Sequence, residues 1–301
     1  MQSTLSLNFP LILASNSPRR REILSQAGFA FSVVASDVDE SFPTDMPLNE
    51  VPVFLSEKKA RVLADINPHA IILAADTVVI LDPCINPDGR DRYVNFYKQT
   101  QSAPYNSKKY AREHIEGWHN GRSNHYMFDL NRDWAWQTQV ESQQRIVKYH
   151  QWMPHIHADL HEQWFDNPYY FAPAAQPFHA YITEWQSDFQ TEIGKNHAKY
   201  FDQNGWLYFT REVFDLLYPS YGDTYPTFNG SVGMTYEQGG HSKGGAAILL
   251  PNSDTLTLYD RVAHHRTTSL STIEIASKST DRLVQQFTDY FKRAADNPTG
   301  S

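Results

Sequence analysis

Between Thr77 and Pro83 the chain changes character, and this change limits what it can fold into more than any other feature. Leu11–Thr77 alternates short apolar runs with capped helical stretches, the pattern of a compact α/β segment. Ile85–Ser301 is rich in aromatic and imidazole side chains. Of thirteen histidines and seven tryptophans, all but His69 lie beyond residue 110. The chain is therefore read as two segments, 1–81 and 82–301, and its 301 residues suffice for about two domains of ~150 residues each.

Bulk properties narrow the function classes. The formal charge is −8 and no basic run exceeds Arg19–Arg21, which argues against a nucleic-acid surface and leaves a nucleotide pocket open. The 41% apolar and 20% charged content is enough for a sizeable core. Cys84 is the only cysteine, so no disulfide framework and no cysteine zinc knuckle is expected. Ile71–Ala75 and Ala246–Leu250, the longest apolar stretches, have strand length and cannot span a membrane. Phe9–Ala14 has no positive region before it and reads as a strand rather than a signal peptide, which makes the cytoplasm the default compartment.

In the first segment, Pro10–Ala14 is a short β-type run. Ser15-Asn16-Ser17-Pro18-Arg19-Arg20-Arg21 then reads as a helix start, with a Ser or Asn cap and a proline in the first turn. Free N–H groups beside arginines make either an anion site or an ordinary capped helix with a solvated basic face. Asp37, Asp39 and Glu40 form an acidic cluster after Phe31–Ala35, and Lys58 and Lys59 lie on a helix expected over Val51–Ala64. Ile71–Ala75 reads as a buried strand ending in Asp76-Thr77, a favoured place for a metal ligand or a base.

In order and spacing, Ser15-x-Ser17-Pro18-Arg19-Arg20, Asp39-Glu40, Lys58-Lys59-Ala60 and Ala75-Asp76-Thr77-Val78-Val79 resemble the Maf family of nucleotide pyrophosphatases. The resemblance covers residues 10–81. It implies hydrolysis of non-standard or modified nucleoside triphosphates with a divalent metal such as magnesium. By position it gives Arg19 and Lys59 to phosphate, and Glu40 and Asp76 to metal or base roles. The Gly-Lys-Pro motif that the family implies after the Asp-Thr strand is replaced by Asp82-Pro83-Cys84-Ile85-Asn86-Pro87.

In the second segment, Asn86-Pro87-Asp88-Gly89 reads as a turn and Thr138–Trp152 as a helix. His155–Glu162 alternates so that, in a strand, His155, His157, Asp159 and His161 share one face, opposite Ile156, Ala158 and Leu160. Such a face either contributes to a metal site or pairs internally and with solvent. Further on, Glu237 sits between a strand-like stretch and glycines, where it is either a general base or a surface group on a turn. Ser279–Ala294 carries Leu283, Phe287, Tyr290 and Phe291 at helical spacing and reads as an amphipathic helix, with a frayed tail over Asp296–Ser301.

The ordered set Asn86-Pro87-Asp88-Gly89, Asp129-Leu130-Asn131-Arg132, Leu160-His161 and Thr235-Tyr236-Glu237 resembles the zinc metallocarboxypeptidase family over about residues 80–280. The resemblance implies zinc, with His161 as one ligand. It implies Asn131 and Arg132 as the grip on the substrate's terminal carboxylate and Arg122 as the polariser of the scissile carbonyl. Glu237 takes the position of the general base, and Tyr221 or Tyr225 that of the capping tyrosine. The family's first two zinc ligands come from a His-x-x-Glu motif, and no histidine here has a glutamate three positions later.

The expectation is an α/β chain in which a Maf-like half-domain of parallel strands and helices precedes an incomplete carboxypeptidase-like mixed sheet with flanking helices. It reads as a chimera of two truncated hydrolases. The leading functional expectation is metallocarboxypeptidase-like hydrolysis of a peptide or amide with a free carboxylate, impaired by the missing ligands. The alternatives are an incomplete nucleoside triphosphate pyrophosphatase and an inactive fold that binds peptide carboxylates. Neither nucleic acid nor membrane is expected as a partner.

Overall fold

The computed structural model describes residues 7–17, 20–21, 24–25, 28–47, 50–74, 79–241 and 243–296. The chain forms two compact units, Met1–Asp82 and Pro83–Ser301, and is mixed α/β throughout.

In the first unit β1 (Leu11–Leu13) lies between β2 (Phe31–Val33) and β3 (Ile71–Leu73), parallel to both. Because side chains alternate across a strand, Leu11 and Leu13 pack with Leu24, Phe31 and Val33, while Ile12 and Ala14 pack with Leu63 and Ile72. Leu63 belongs to α1 (Val51–Ile66), which buries Val51, Leu55, Lys59 and Leu63 at intervals of one helical turn. Lys59 thus occupies a core-facing position. The expected buried strand at Ile71–Ala75 needs correction: β3 is an edge strand, and Ile71 and Leu73 are each 41% exposed. Only its inner face, at Ile72, meets α1. The predicted helix start at Pro18-Arg19 and the Asp76-Thr77 strand end lie outside the described residues.

The second unit opens with α2 (Pro87–Thr100). The stretch read as a turn, Asn86–Gly89, is this helix's N-terminus: Asn86 Oδ1 accepts from Gly89 N at 3.0 Å and Pro87 takes the first turn. An Asn-Pro pair serves a turn and a helix cap equally well, since both need a side-chain acceptor and a fixed φ. Next come α3 (Val140–Trp152) and β4 (Ile156–Trp164), then β5 (Tyr169–Tyr170) and β6 (Ala175–Phe178). They are followed by α4 (Glu184–Asn204), β7 (Tyr208–Phe209), β8 (Asp215–Leu216) and α5 (Thr224–Phe228). The unit continues with β9 (Val232–His241), β10 (Ala247–Leu249), β11 (Thr255–Thr257), α6 (Leu258–Lys278) and α7 (Thr280–Asp296). A mixed sheet runs in the order β4-β9-β5-β7, with β4 and β9 parallel and β5 antiparallel to β9. β6 pairs with β8, and β10 with β11, in two-stranded ribbons.

One face of β9 builds the core. Val232, Met234 and Tyr236 pack against Phe189, Ile193 and Phe201 of α4, with Tyr169, Phe171 and Leu283 completing the cluster. Ile156 and Ala158 of β4 join the same side. Reciprocal capping boxes start α4 at Thr183/Gln186 and α6 at Thr257/Asp260. Gln186 and Gln190 of α4 donate to the carbonyls of Ser231 and Gly233, each at 2.7 Å, which ties the helix to the start of β9. As its pattern predicts, α7 is amphipathic. It lays Phe287, Tyr290 and Phe291 over Gly230, which adopts φ +85°. Of the expected frayed tail Asp296–Ser301, Asp296 is the last residue of α7 and the rest lies outside the described residues, and no helix among the described residues is long and apolar enough to cross a membrane.

His197 is fully buried on α4, with Nδ1 2.7 Å from Ser271 Oγ, and burial pushes its pKa down to about 3. The folded ring refuses a proton that the unfolded chain accepts below its ordinary value, 6.5. This group therefore contributes no loss of stability above that value and a growing loss as pH falls from there toward about 3. Urea denaturation is expected to show this acid loss at about 1.4 kcal/mol per pH unit, and His197→Asn is expected to flatten the slope.

Candidate functional site

The register of β4 with β9 assembles the site. His157 faces Gly233, Asp159 faces Thr235 and His161 faces Glu237, all on the side of the sheet away from the core. Side chains separated by 76 residues of sequence thereby become neighbours. The expected shared face of His157, Asp159 and His161 is present, and it pairs internally. His161 Nε2 lies 2.7 Å from Asp159 Oδ2, and His157 meets Trp134 and Tyr149 edge-on at ring distances of 5.3 and 5.9 Å. Glu237 is within the strand and 9% exposed, so the surface-turn reading fails.

A second layer comes from the 129–136 loop. Asp129 caps a short 3-10 turn, accepting from Asn131 N at 2.9 Å through Oδ1. Its Oδ2 accepts from Arg122 Nε at 3.0 Å and lies 3.9 Å from Arg132 Nη1. Two guanidiniums thus share one carboxylate, which leaves one positive charge in surplus. Arg132 also lies 4.2 Å over the ring of Tyr221.

The Asn131 amide is turned inward. Its Oδ1 accepts from Gly222 N at 2.7 Å and its Nδ2 lies 3.0 Å from His161 Nε2. Of the polar atoms expected to grip a substrate carboxylate, Oδ1 is taken by Gly222 N, while the two N–H groups of Nδ2 lie against His161. Asn131 ties the 129–136 loop to the Gly222 turn and packs beside His161. Between the two candidate capping tyrosines, the geometry separates their surroundings. Tyr225 Oη lies 2.9 Å from His150 Nε2, and its ring packs against Trp134 and Tyr149, whereas Tyr221 lies under Arg132.

Electrostatics follow from burial and from the pairings. Burial opposes ionisation of Asp159 and of His161, yet each is overruled by the charge and hydrogen bond of the other. Asp159 is held down to about 2 and His161 is pushed up to about 9. Their pairing stabilises the fold above the ordinary aspartate range and loses that contribution as pH rises through about 9 or falls through about 2. A single ring nitrogen can serve only one neighbour at a time. With the proton on Nε2, the bond goes to Asp159, and Asn131 Nδ2 is a contact rather than a donor. Burial pushes Glu237 up to about 7, with Asp159 adding to the shift and His161 and Arg122 limiting it. Burial likewise lifts Asp223 to about 6, again with Asp159 adding to the rise.

These residues do not fit the zinc that the carboxypeptidase resemblance implies. Among the described residues no group of three or more His, Cys, Asp or Glu is placed to hold a metal, and catalytic zinc takes three protein ligands. His161, expected as a zinc ligand, is paired with Asp159 in this structure.

In the first unit, Lys59 Nζ lies 2.8 Å from Glu40 Oε1, so two expected site residues are brought together, although as partners of each other. Glu40, expected to hold a divalent metal, is thus engaged by a cation. Ser15 Oγ accepts from Arg20 Nη1 at 3.0 Å and from Ser17 N at 3.2 Å. Arg19 and Asp76 lie outside the described residues.

Sequence reasoning missed Gly222 and Asp223. A Cβ on Gly222 would collide with Asp159 Oδ2 and approach Trp134 Nε1 within 2.9 Å, so only glycine lets the 218–225 loop close over the ion pair. The available signal was a glycine and an acid inside a tyrosine-rich loop, which is too common to point to a site.

Comparison with known proteins supports the first segment most directly. Residues 10–105 match the family model of the Maf-like protein, past the end of the first unit at Asp82. A dTTP/UTP pyrophosphatase of Exiguobacterium sibiricum is 52% identical over 73 residues, covering 24% of this chain and 36% of that protein. One from Bacteroides thetaiotaomicron is 39% identical over 94 residues, covering 30% and 49%. The chain thus spans between about a third and a half of the length of these curated relatives. Among solved structures, a metallo-carboxypeptidase from Burkholderia cenocepacia aligns with a TM-score of 0.37 and 18% identity, covering 60% of this chain and 44% of that one.

Glu237 is expected to make the fold less stable as pH rises from 4.5 through about 7, because the unfolded chain releases a proton that the folded chain retains. Glu237→Gln removes that penalty. Urea denaturation at pH 8 is expected to find the variant more stable than wild type by about 3 kcal/mol, with little difference at pH 4.

Proposed function

We propose that the Pro83–Ser301 unit recognises a peptide or amide ligand by its free carboxylate, with Arg132 and Arg122 as the grip. The observation that carries this reading is the surplus charge at Asp129: Arg122 Nε at 3.0 Å and Arg132 Nη1 at 3.9 Å share one carboxylate oxygen. Arg132 keeps 46% of its side chain exposed and Arg122 37%, so both guanidiniums can still meet a ligand. A guanidinium matches a carboxylate through two parallel N–H donors. Tyr221 lies beside this grip and is the better placed of the two capping candidates. Glu237, in the general-base position, is held near neutrality, where a carboxylate exchanges protons readily. The ligand set for zinc does not fit, and the metal-dependent hydrolysis implied by the resemblance is accordingly impaired. What remains is carboxylate recognition on a carboxypeptidase-like unit.

Titration calorimetry of the full chain with N-acetylglycine and with its primary amide tests this. Only the acid is expected to bind, and Arg132→Ala is expected to weaken it by about tenfold to a hundredfold, the worth of a charged hydrogen bond. Equal binding of acid and amide would sink the reading.

A second reading belongs to the first unit: binding of a pyrimidine nucleoside triphosphate, as a Maf-like pyrophosphatase segment. It is supported by the 52% identity over 73 residues to a dTTP/UTP pyrophosphatase and by the nearly buried Lys59, whose ammonium is held ready by Glu40. In this reading a triphosphate takes over the ammonium from Glu40, and Arg20 adds positive charge near Ser15. No step is assigned to a divalent metal here, since Glu40 is engaged by Lys59. Lys59→Ala is expected to weaken dTTP binding by about tenfold in equilibrium dialysis. Unchanged binding, or none to the wild type, would remove this reading.

A further inference from the structure

β4 is an outer strand of its sheet, and among the described residues β9 is the strand that it pairs with. It is nine residues long, whereas β7 at the opposite edge has two. Long outer strands are normally blunted by lysine, proline or a bulge, because their free N–H and C=O groups recruit another strand. Ile156–Gln163 contains no lysine, proline or glycine, and the register shift against β9 falls at its far end, between Gln163 and Trp164. Val232 N donates to the His155 carbonyl at 2.9 Å, so the odd-numbered residues turn their backbone groups toward β9. By alternation, the N–H and C=O groups of Ile156, Ala158, Leu160 and Glu162 face the open edge. Leu160 is 45% exposed, although Ile156 and Ala158 before it on the same face join the core.

We propose that the open edge of β4 pairs with the same edge of a second copy of this chain, antiparallel and about a two-fold axis at Leu160. A two-fold interface needs a patch that complements itself, and the sequence of β4 does so in this register. With Leu160 opposite Leu160, Ala158 stands opposite Glu162. All of these residues turn their backbone groups outward, so each pair exchanges both of its N–H···O bonds. On the other face Asp159 of each copy stands opposite His161 of the other, at the closer spacing of the non-hydrogen-bonded pairs. Each Asp159 keeps its own His161 at 2.7 Å, so carboxylate and imidazole alternate around the axis. At the centre, two half-exposed leucines leave water together. Other axes are poorer. At Asp159, His161 or Glu162 the axis would oppose two identical ionisable groups, and at Ala158 it would set Glu162 against Pro154, which has no N–H to give.

Sedimentation velocity of the full chain tests the pairing. Wild type is expected to pass from monomer to dimer between about 1 and 100 µM. Leu160→Lys sets two ammonium groups against each other at the axis and is expected to weaken the dimer more than about tenfold, with an unchanged circular dichroism spectrum. An equimolar mixture of Leu160→Lys and Leu160→Glu is expected to dimerise again, because an axis at Leu160 places the two opposite charges together. In wild type, hydrogen-exchange protection of the Ala158, Leu160 and Glu162 amides is expected to rise with protein concentration, a readout that needs no variant. A wild type that stays monomeric at about 100 µM, or a dimer that Leu160→Lys does not weaken, overturns the proposal. Edge amides already protected in the monomer also overturn it, by showing that another segment holds this strand. A mixture of the two variants that stays monomeric overturns the axis at Leu160.

Discussion

The parallel pairing of β4 with β9 is the constraint on which the rest of the second unit depends. A strand has only two faces, and this pair uses both fully. Val232, Met234 and Tyr236, with Ile156 and Ala158, close the aromatic core under α4. Asp159, His161 and Glu237 are carried to the opposite face by the same alternation. A slip of one residue would exchange the two sets, placing carboxylates against Phe189 and Phe201, so the core enforces the register that assembles the site.

On the polar face, order comes from charges that are paired. Asp159 and His161 neutralise each other, Asn131 ties its loop to the Gly222 turn that closes over that pair, and Asp129 gathers Arg122 and Arg132. Each link holds the next, from the strand outward to the loop that carries the exposed guanidiniums. Glu237 has no opposite charge bonded to it among the described residues, and the buried sheet answers by keeping its proton to about neutral pH. The paired guanidiniums around Asp129 and the proton-holding acid of β9 are therefore consequences of the same packing.

Much of this was legible in the sequence. The alternation in His155–Glu162 identified both the strand and its polar face, the spacing of Leu283, Phe287, Tyr290 and Phe291 identified α7, and ordered motifs pointed to His161, Arg132 and Glu237. The first segment's motifs agree with the family match over residues 10–105. Errors fell where one local pattern serves two structures. Asn86-Pro87 marks a turn or a helix cap, and the apolar run at Ile71 suits a central or an edge strand. Sequence distance concealed the partners of Asn131, because Gly222 is 91 residues away.

By itself, the sequence determined the chemical inventory and its periodicity: which faces are apolar, where helices are capped, and that no histidine has a glutamate three positions later. These are local properties, set by backbone geometry and side-chain type. Only the tertiary structure decided what the inventory does. It gave the His161 nitrogen to Asp159, the Lys59 ammonium to Glu40 and the Asn131 amide to Gly222. Charges and hydrogen-bonding groups act over a few ångströms, so their roles follow from which neighbours the fold brings within reach, and burial then decides which of them keep their protons.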